Sequence, residues 1–305
     1  MKPMLVSVVI PTYNRPEPLG RCLEALSKQS LPAAEFEVIV VDDGSRGTLA
    51  DVVGPFQNRM NVKLVRQTNS GPAQARNNGV RKAEADLIAF TDDDCRPRAD
   101  WLAKLVNTAL ENPGALVGGS TVNGLSGEVP ATTSQFIVDL VYVHFNNEPS
   151  NAYFLTSNNM LCEKRQFLEL HGFDAGFAVA GGEDREFCDR WRSAGFPIIW
   201  RQDAVIDHFH SQSLPQFINL HFRYGIGAYR CQSKRRERGA GGMQKDLEFH
   251  RSLVRYLRTH LFTRFAAYKA VQILLLMFVW QIANAMGCFF AFAASIARKE
   301  DTYDQ

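Results

Sequence analysis

The stretch LIAFTDDDCRP, Leu87 to Pro97, sets an apolar run directly against three carboxylates, Asp92, Asp93 and Asp94. Four of its first five residues are apolar, which predicts a strand buried on both faces. Adjacent negative charges repel one another, and a cation among them relieves the repulsion. Oxygens at i and i+2 of an extended chain point the same way, and oxygen-only ligation suits Mg2+ or Mn2+. Such ions keep several waters and complete their shell with substrate phosphates. The expected occupant is therefore a metal carrying a phosphorylated ligand. A solvated acidic turn is the plainer reading of a lone D-x-D, so the neighbouring sequence decides.

Working outward, strands and helices alternate through the first 120 residues. LVSVVI (5–10) and FEVIVV (36–41) read as buried strands, NVKLVRQ as a third, and DLIAF as the fourth. Between the first two, Leu19, Cys22, Leu23 and Leu26 recur at i, i+3, i+4, i+7, one face of a helix. GPAQARNNGVRKA predicts a helix entered at Gly71-Pro72. ADWLAKLVNTALE predicts another, with Leu102, Leu105, Val106 and Ala109 inward. This order predicts an α/β fold, a Rossmann-like, doubly wound, mostly parallel sheet. Ligands of such sheets sit beyond the carboxyl ends of the strands. PTYNR (11–15), DDGS (42–45) and TDDDC (91–95) all follow strands, so all three should share one edge.

Downstream, ALVGGSTVNG reads as a strand and turn, while residues 125–155 carry no assignable period. TSNNMLCEKRQFLELHGFD predicts a short strand, a helix and a stop at Gly172. GGEDREFCDRWRSAG predicts a glycine turn and a helix ending near Gly195, and AVIDHFH a short strand with two terminal histidines. HFRYGIGAYR (221–230) fits a connecting helix.

The last third changes character. Ser233 to Lys269 holds ten Lys or Arg, and the 28 residues from Ala270 to Ala297 carry no charge. A helix of that length reaches about 42 Å against a hydrocarbon core of about 30 Å. It can cross a membrane, re-enter, bend at Gly287 or lie in the interface, and a buried helix of a soluble domain is the plainer alternative. Repeated Arg among Leu, Tyr and Phe over 245–269 reads as a basic interfacial helix on anionic lipid. The expected organisation is a catalytic domain over 1–230, a basic amphipathic segment over 231–269, a membrane-embedded helix over 270–297 and a polar tail over 298–305. The excess of basic residues on the N-terminal side of the apolar segment predicts a cell-membrane protein with its large domain in the cytoplasm. LVSVVI is too short for a signal peptide and ends at Pro11. Six scattered cysteines without C-x-x-C fit a reducing compartment, and a net charge of +2 does not suggest nucleic acid.

Taken together, VVIPTYNR, VVDDGS, NSGPAQARNNGV, LIAFTDDDC and GGEDREFCDRW occur in order over residues 4–210. That set resembles the family 2 glycosyltransferases of the GT-A fold. The resemblance implies a nucleotide-diphosphate sugar donor, UDP-linked by preference, with Pro11, Thr12, Tyr13, Asn14 and Arg15 lining its pocket. It implies that Asp43 accepts from the base or ribose, and that Arg76 lies near Asp43 and the phosphates. The family's D-x-D falls on Asp92 and Asp94: Asp94 as metal ligand, Asp92 as ligand or ribose contact. Asp93 can exchange roles with either. Asp184 matches the family's base and Glu183 a supporting acid. A carboxylate within hydrogen-bond reach can take the acceptor's proton as it attacks, giving a single displacement with inversion. Gly181 and Gly182 let the backbone approach the sugar. His208 and His210 stand where some relatives add a metal ligand, and Ser157, Asn158, Asn159 and Gly182 fall on the acceptor side. The apolar C-terminal segment, which would bring the enzyme to membrane-borne substrates, points to a lipid-linked or other glycan hydroxyl as acceptor and to membrane lipid as a further partner; protein and small-molecule acceptors stay open.

The rival readings are weaker. A phosphohydrolase with an Asp nucleophile places its D-x-D strand near the domain start and follows it with Thr or Val, whereas position 96 is Arg. A nucleotidyltransferase needs a Gly-rich basic loop after the first strand. The chain lacks the Q-x-x-R-W of processive polymer synthases, which favours single-sugar transfer. A lipid-phosphate sugar donor and a non-catalytic membrane scaffold remain the alternatives.

Overall fold

The computed structural model describes residues 4–177, 181–239 and 244–303. Residues 240–243 of the basic segment and 304–305 of the polar tail lie outside the described residues. The chain divides into two compact units: Met1–Gly124, Phe145–Val179 and Glu183–His210 form the first, and Leu125–His144, Ala180–Gly182 and Ser211–Gln305 the second.

The first unit is built on an eight-stranded sheet of order β3-β2-β1-β4-β7-β6-β8-β5. Its strands are β1 (Val6–Thr12), β2 (Phe36–Asp42), β3 (Asn61–Arg66), β4 (Leu87–Phe90), β5 (Cys95–Pro97), β6 (Leu116–Asn123), β7 (Met160–Glu163) and β8 (Ile198–His208). Every residue of β1, β2 and β4 is buried, as near-continuous apolar runs demand when helices cover both faces, and the two polar interruptions, Ser7 and Glu37, pair with each other at 2.6 Å. β1 pairs parallel with β2 and β4, and β2 with β3, while β7 runs antiparallel between β4 and β6. The sheet is mixed and mostly parallel, with the predicted doubly wound core. The register sets Thr12 beside Asp42, and Thr91 to Asp94 follow the end of β4. The three polar segments therefore share the carboxyl edge.

The helices of this unit are α1 (Pro16–Leu26), α2 (Ala50–Val53), α3 (Pro72–Lys82) and α4 (Trp101–Glu111), joined later by α6 (Lys164–Glu169) and α7 (Glu183–Ser193). α1 buries Leu19, Cys22, Leu23 and Leu26, and α4 buries Leu102, Leu105, Val106 and Ala109, the stripes read from the sequence. The AVIDHFH strand is longer than its apolar run: β8 starts at Ile198, and its exposed Arg201 to Asp203 mask the continuity.

The second unit is helical. It contains α5 (Val129–Phe145), α8 (Leu214–Glu237), α9 (Gln244–Tyr256), a π-helical turn (Leu257–Leu261), α10 (Phe262–Arg264) and α11 (Ala267–Tyr303). The unassigned 125–155 region thus contains a helix of 17 residues. A capping box starts α8: the Gln216 side chain accepts from the Ser213 N–H at 2.7 Å, and the Ser213 side chain accepts in return. Ala267–Ala297 is, among the described residues, the one helix long and apolar enough to cross a membrane.

Candidate active site

The loop after β4 gathers its carboxylates with the loop after β1. Thr12 Oγ1 donates to Asp93 Oδ2 at 2.7 Å. The Arg15 guanidinium reaches both Asp93, at 3.0 Å, and Asp94, at 2.9 Å. Two histidines from the end of β8 close on the same Asp94: His208 Nε2 lies 3.2 Å from Oδ1 and His210 Nδ1 lies 3.3 Å from Oδ2. The His rings stack with centroids 5.5 Å apart. The antiparallel pairing of β5 with β8, Cys95 opposite His208, produces this meeting.

The electrostatics split the three acids. Burial pushes the Asp93 carboxyl up to about 7, with Arg15 opposing and Asp94 adding to the rise. Burial would raise Asp94 too, but His208, His210 and Arg15 outweigh it and hold that carboxyl well below the usual range. Asp94 is thus the committed anion of the cluster. Asp94, Cys95 and His208 offer ligand atoms within 4.8 Å of one another. Burial first, then Asp94, pushes the Cys95 thiol well up, so it stays protonated and leaves the carboxylate and imidazoles as the donor set. Carboxylate and imidazole are donor types that a divalent cation accepts. A cleft of about 260 Å³, lined by Glu17, Pro18, Arg21, Asp94, Arg96 and Phe209, opens onto Asp94. Arg96 lies flat on the Phe209 ring, 3.5 Å from its centroid.

A second cluster centres on Arg76 of α3. This buried guanidinium bonds Asp92 through Nη2 at 2.6 Å and Glu183 through Nη1 at 3.3 Å. Burying an arginine is costly unless it is paired, and here it joins the triple-Asp loop to the Glu-Asp pair. Its Nε is buried without a hydrogen-bond partner among the described residues. Asp184 follows on the first turn of α7. Burial raises its carboxyl to about 7, Glu183 adds to the rise, and the N–H groups of Arg185 and Ser157 oppose it. The Arg185 N–H donates to Oδ1 at 2.8 Å. Gly181 and Gly182 precede the pair with φ of 146° and 97°, a region glycine enters without steric cost.

Other candidates fall elsewhere. Asp43 accepts from Gln67 Nε2 at 2.7 Å and from the Ser70 and Gly71 N–H groups at 2.8 and 2.9 Å, the last at the start of the helix that carries Arg76. Asn14, at φ 55°, accepts from the Arg46 N–H and donates its own N–H to Ser45 Oγ, tying the loops after β1 and β2. Tyr13 stands 47% exposed beside Thr12, and Pro11 lies within β1. Asn159 is fully buried: it accepts from Trp101 Nε1 and donates to the Ser120 and Ala204 carbonyls, bridging the register shift between β6 and β8. Its amide is spent on the framework. Asn158 accepts from Thr156 Oγ1, and Ser157 reaches the site through its backbone. Sequence reasoning missed the Arg15 ion pairs and the placing of Cys95, which no local motif announces.

Residues 7–179 match the model of glycosyl transferase family 2. The chain is 36% identical over 228 residues to glycosyltransferase AglE of Haloferax volcanii, covering 73% of this chain and 72% of that one. It is 49% identical over 239 residues to validoxylamine A glucosyltransferase of Streptomyces hygroscopicus subsp. jinggangensis, covering 68% of this chain and 56% of that one. The chain therefore spans just over half the length of that second relative. Among solved structures, the mannosyltransferase PcManGT from Pyrobaculum calidifontis with GDP-Man and Mn2+ superposes with a TM-score of 0.64 at 16% identity, covering 97% of this chain and 87% of that one. TarS 1–349 of S. aureus with UDP-GlcNAc gives 0.57 at 20%, covering 92% and 81%. The sheet order, the triple-Asp loop against Arg15 and the histidines, and these matches agree: the chain belongs to glycosyl transferase family 2 and is a glycosyltransferase of the GT-A fold.

Proposed function

We propose that the protein moves one sugar from a nucleotide-diphosphate sugar, UDP-linked, to a hydroxyl of a lipid-linked or other glycan acceptor, with inversion, at the cytoplasmic face of a membrane. The observation that carries this reading is Arg76, whose one guanidinium holds Asp92 and Glu183 together. A donor phosphate near Asp92 and an acceptor hydroxyl near Asp184 then fall within one shared site. The unpaired Arg76 Nε supports the same reading, since it is a buried donor suited to a phosphate oxygen. The UDP-GlcNAc and GDP-Man complexes of the two solved neighbours support a nucleotide-sugar donor.

Asp184, raised to about 7, is matched to taking a proton near neutral pH. Its carboxylate accepts the acceptor's hydroxyl proton, the acceptor oxygen bonds to the anomeric carbon, and the bond from that carbon to the diphosphate oxygen breaks. Glu183, held by Arg76, keeps the base oriented and adds negative potential that favours proton uptake. Arg15 and Thr12 hold the triple-Asp loop in place. A divalent cation, Mg2+ or Mn2+, at Asp94, His208 and His210 would neutralise charge on the departing diphosphate. The apolar C-terminal helix supports placement at a membrane.

The test is a donor screen by calorimetry: the detergent-purified protein titrated with UDP-, GDP- and dTDP-sugars in Mn2+, in Mg2+ and in EDTA. Binding of one nucleotide that is lost in EDTA and in Asp94→Ala is the expected result. Binding of none of them would sink the nucleotide-sugar reading and favour a lipid-phosphate sugar donor.

A further inference from the structure

α8 and α11 of the helical unit lie side by side and run in the same direction. His221 meets Trp280, a Cβ on Gly225 would sit 2.0 Å from the Asn284 carbonyl oxygen, and Tyr229 Oη bonds Ser295 Oγ at 2.7 Å. Partner numbers rise together along both helices, so the pair is parallel. A parallel pair constrains the chain between them. If α11 crossed a bilayer, α8 would cross beside it in the same sense, carrying Arg223 and Arg230 into the hydrocarbon. The chain through α9 and α10 would then have to return through the same depth. That return carries Glu248, Arg251, Arg255, Arg258 and Arg264. Ionised side chains at bilayer depth are costly unless they line a water-filled path or pair inside a bundle. Arg251, Arg255 and Arg258 are exposed.

The faces of α11 say where apolar contact is still wanted. Ala270, Ile273, Met277, Trp280 and Ala283 are buried, a stripe at helical spacing. On the rest of the helix Val271, Leu275, Phe278, Ile282, Met286 and Phe289 are exposed, also three or four residues apart. Phe278 is 67% and Phe289 70% exposed. The second stripe runs from Val271 to Phe289 along the exposed face of α11. A spanning helix would meet lipid along this stripe too, but only at the cost of burying the charges of its neighbours.

We propose that α11 does not cross the membrane. It lies in the plane of the interface, with the Val271–Phe289 stripe in the boundary between headgroups and acyl chains, and with Arg251, Arg255 and Arg258 of the preceding segment drawing it to anionic lipid. The proposal rests on the membrane placement given under Proposed function and specifies its form. Both chain ends then stay on one side of the bilayer, and attachment depends on anionic headgroups.

The experiment uses the full chain with a protease-cleavable tag at each end, in sealed inside-out membrane vesicles from producing cells. Equal cleavage of both tags from outside, without detergent, is expected. The purified protein should float with phosphatidylcholine vesicles containing phosphatidylglycerol and at least tenfold less with phosphatidylcholine alone. Phe278→Asp combined with Phe289→Asp should move the protein to the soluble fraction. Both residues are exposed, so nucleotide-sugar binding in the variant should equal that of the parent. A C-terminal tag protected until detergent is added would overturn the proposal in favour of a crossing. So would a parent that floats with neither vesicle and self-associates, because a second copy would then cover the stripe. Loss of nucleotide-sugar binding in the parent would instead defeat the donor reading and leave the topology result standing.

Discussion

At the scale of single residues, Asp184 makes opposite demands on stability and activity. Its folded carboxyl titrates at about 7, whereas an unfolded aspartate titrates at about 3.9. Between those values the folded state holds the extra proton, so this group's contribution to stability is complete below about pH 4 and is lost as pH rises through about 7. Activity should run the other way under the mechanism we propose, in which Asp184 is the base and must be unprotonated. Thermal midpoints of the parent should therefore fall relative to Asp184→Asn between pH 4 and 7, while kcat of the parent rises toward a plateau above pH 7. Asp184→Asn should lose at least about a thousandfold in kcat with donor affinity intact; a variant that kept its turnover would exclude this residue as the base. Arg76→Lys tests the other cluster. A lysine has a point charge in place of the planar fork that serves Asp92 and Glu183 together. We expect kcat to drop at least tenfold, measured under saturating donor. His208→Ala with His210→Ala should weaken Mn2+ binding by at least tenfold in a calorimetric titration. The acids and histidines of this site were legible in the sequence because each ends a strand or opens a helix. Arg15 against Asp93 and Asp94, and Arg76 against Glu183, were not, because those pairs are 78 or more residues apart and only the sheet order brings them together.

At the scale of elements, legibility followed pattern. The central strands read correctly because a parallel sheet covered on both faces requires near-continuous apolar runs. α1 and α4 read correctly because each has one buried stripe on an otherwise polar helix. α5 did not. Its sequence, VPATTSQFIVDLVYVHF, carries a single carboxylate, Asp139, and mixes β-branched and aromatic residues on all sides, so neither a helical stripe nor strand alternation stands out. Helix packing in the second unit turns on small residues. A Cβ on Gly287 would lie 1.9 Å from the Phe222 carbonyl oxygen, and one on Gly225 2.0 Å from that of Asn284. Neither carbonyl can yield without parting the helices, so Gly225→Ala should cost about 1–3 kcal/mol by overpacking. The measurement is the thermal midpoint of the purified chain, with Ala228→Gly on the same helix as the control for helix propensity alone. An unchanged midpoint in Gly225→Ala would mean that the two helices do not pack this closely.

At the scale of the whole molecule, the chain is interleaved rather than serial. It leaves the sheet unit at Gly124 and returns at Phe145, leaves again for Ala180–Gly182, and leaves a third time after His210, so α5 belongs with helices that follow it by more than sixty residues. Phe136 of α5 meets Phe265 edge to face with ring centroids 5.7 Å apart, and Asp139 pairs with Arg264 at 2.8 Å. Phe136, Ile137 and Leu140 are all buried. Cutting the chain after His210 would remove α8 to α11 and strip those partners from α5. Each large apolar side chain returned to water costs about 1.5–3 kcal/mol, a large fraction of a domain's net stability. The truncated chain 1–210 should therefore aggregate, seen as a void-volume peak in size-exclusion chromatography with light scattering. Replacing residues 125–144 of that truncation with a Gly/Ser linker of the same length removes the uncovered helix, and should return a monomer with native-like circular dichroism. If 1–210 is already monomeric and folded, α5 does not depend on the later helices and the interleaved reading fails. If neither truncation folds, losing α8 to α11 costs the chain more than the cover of α5, and the dependence is wider than one helix.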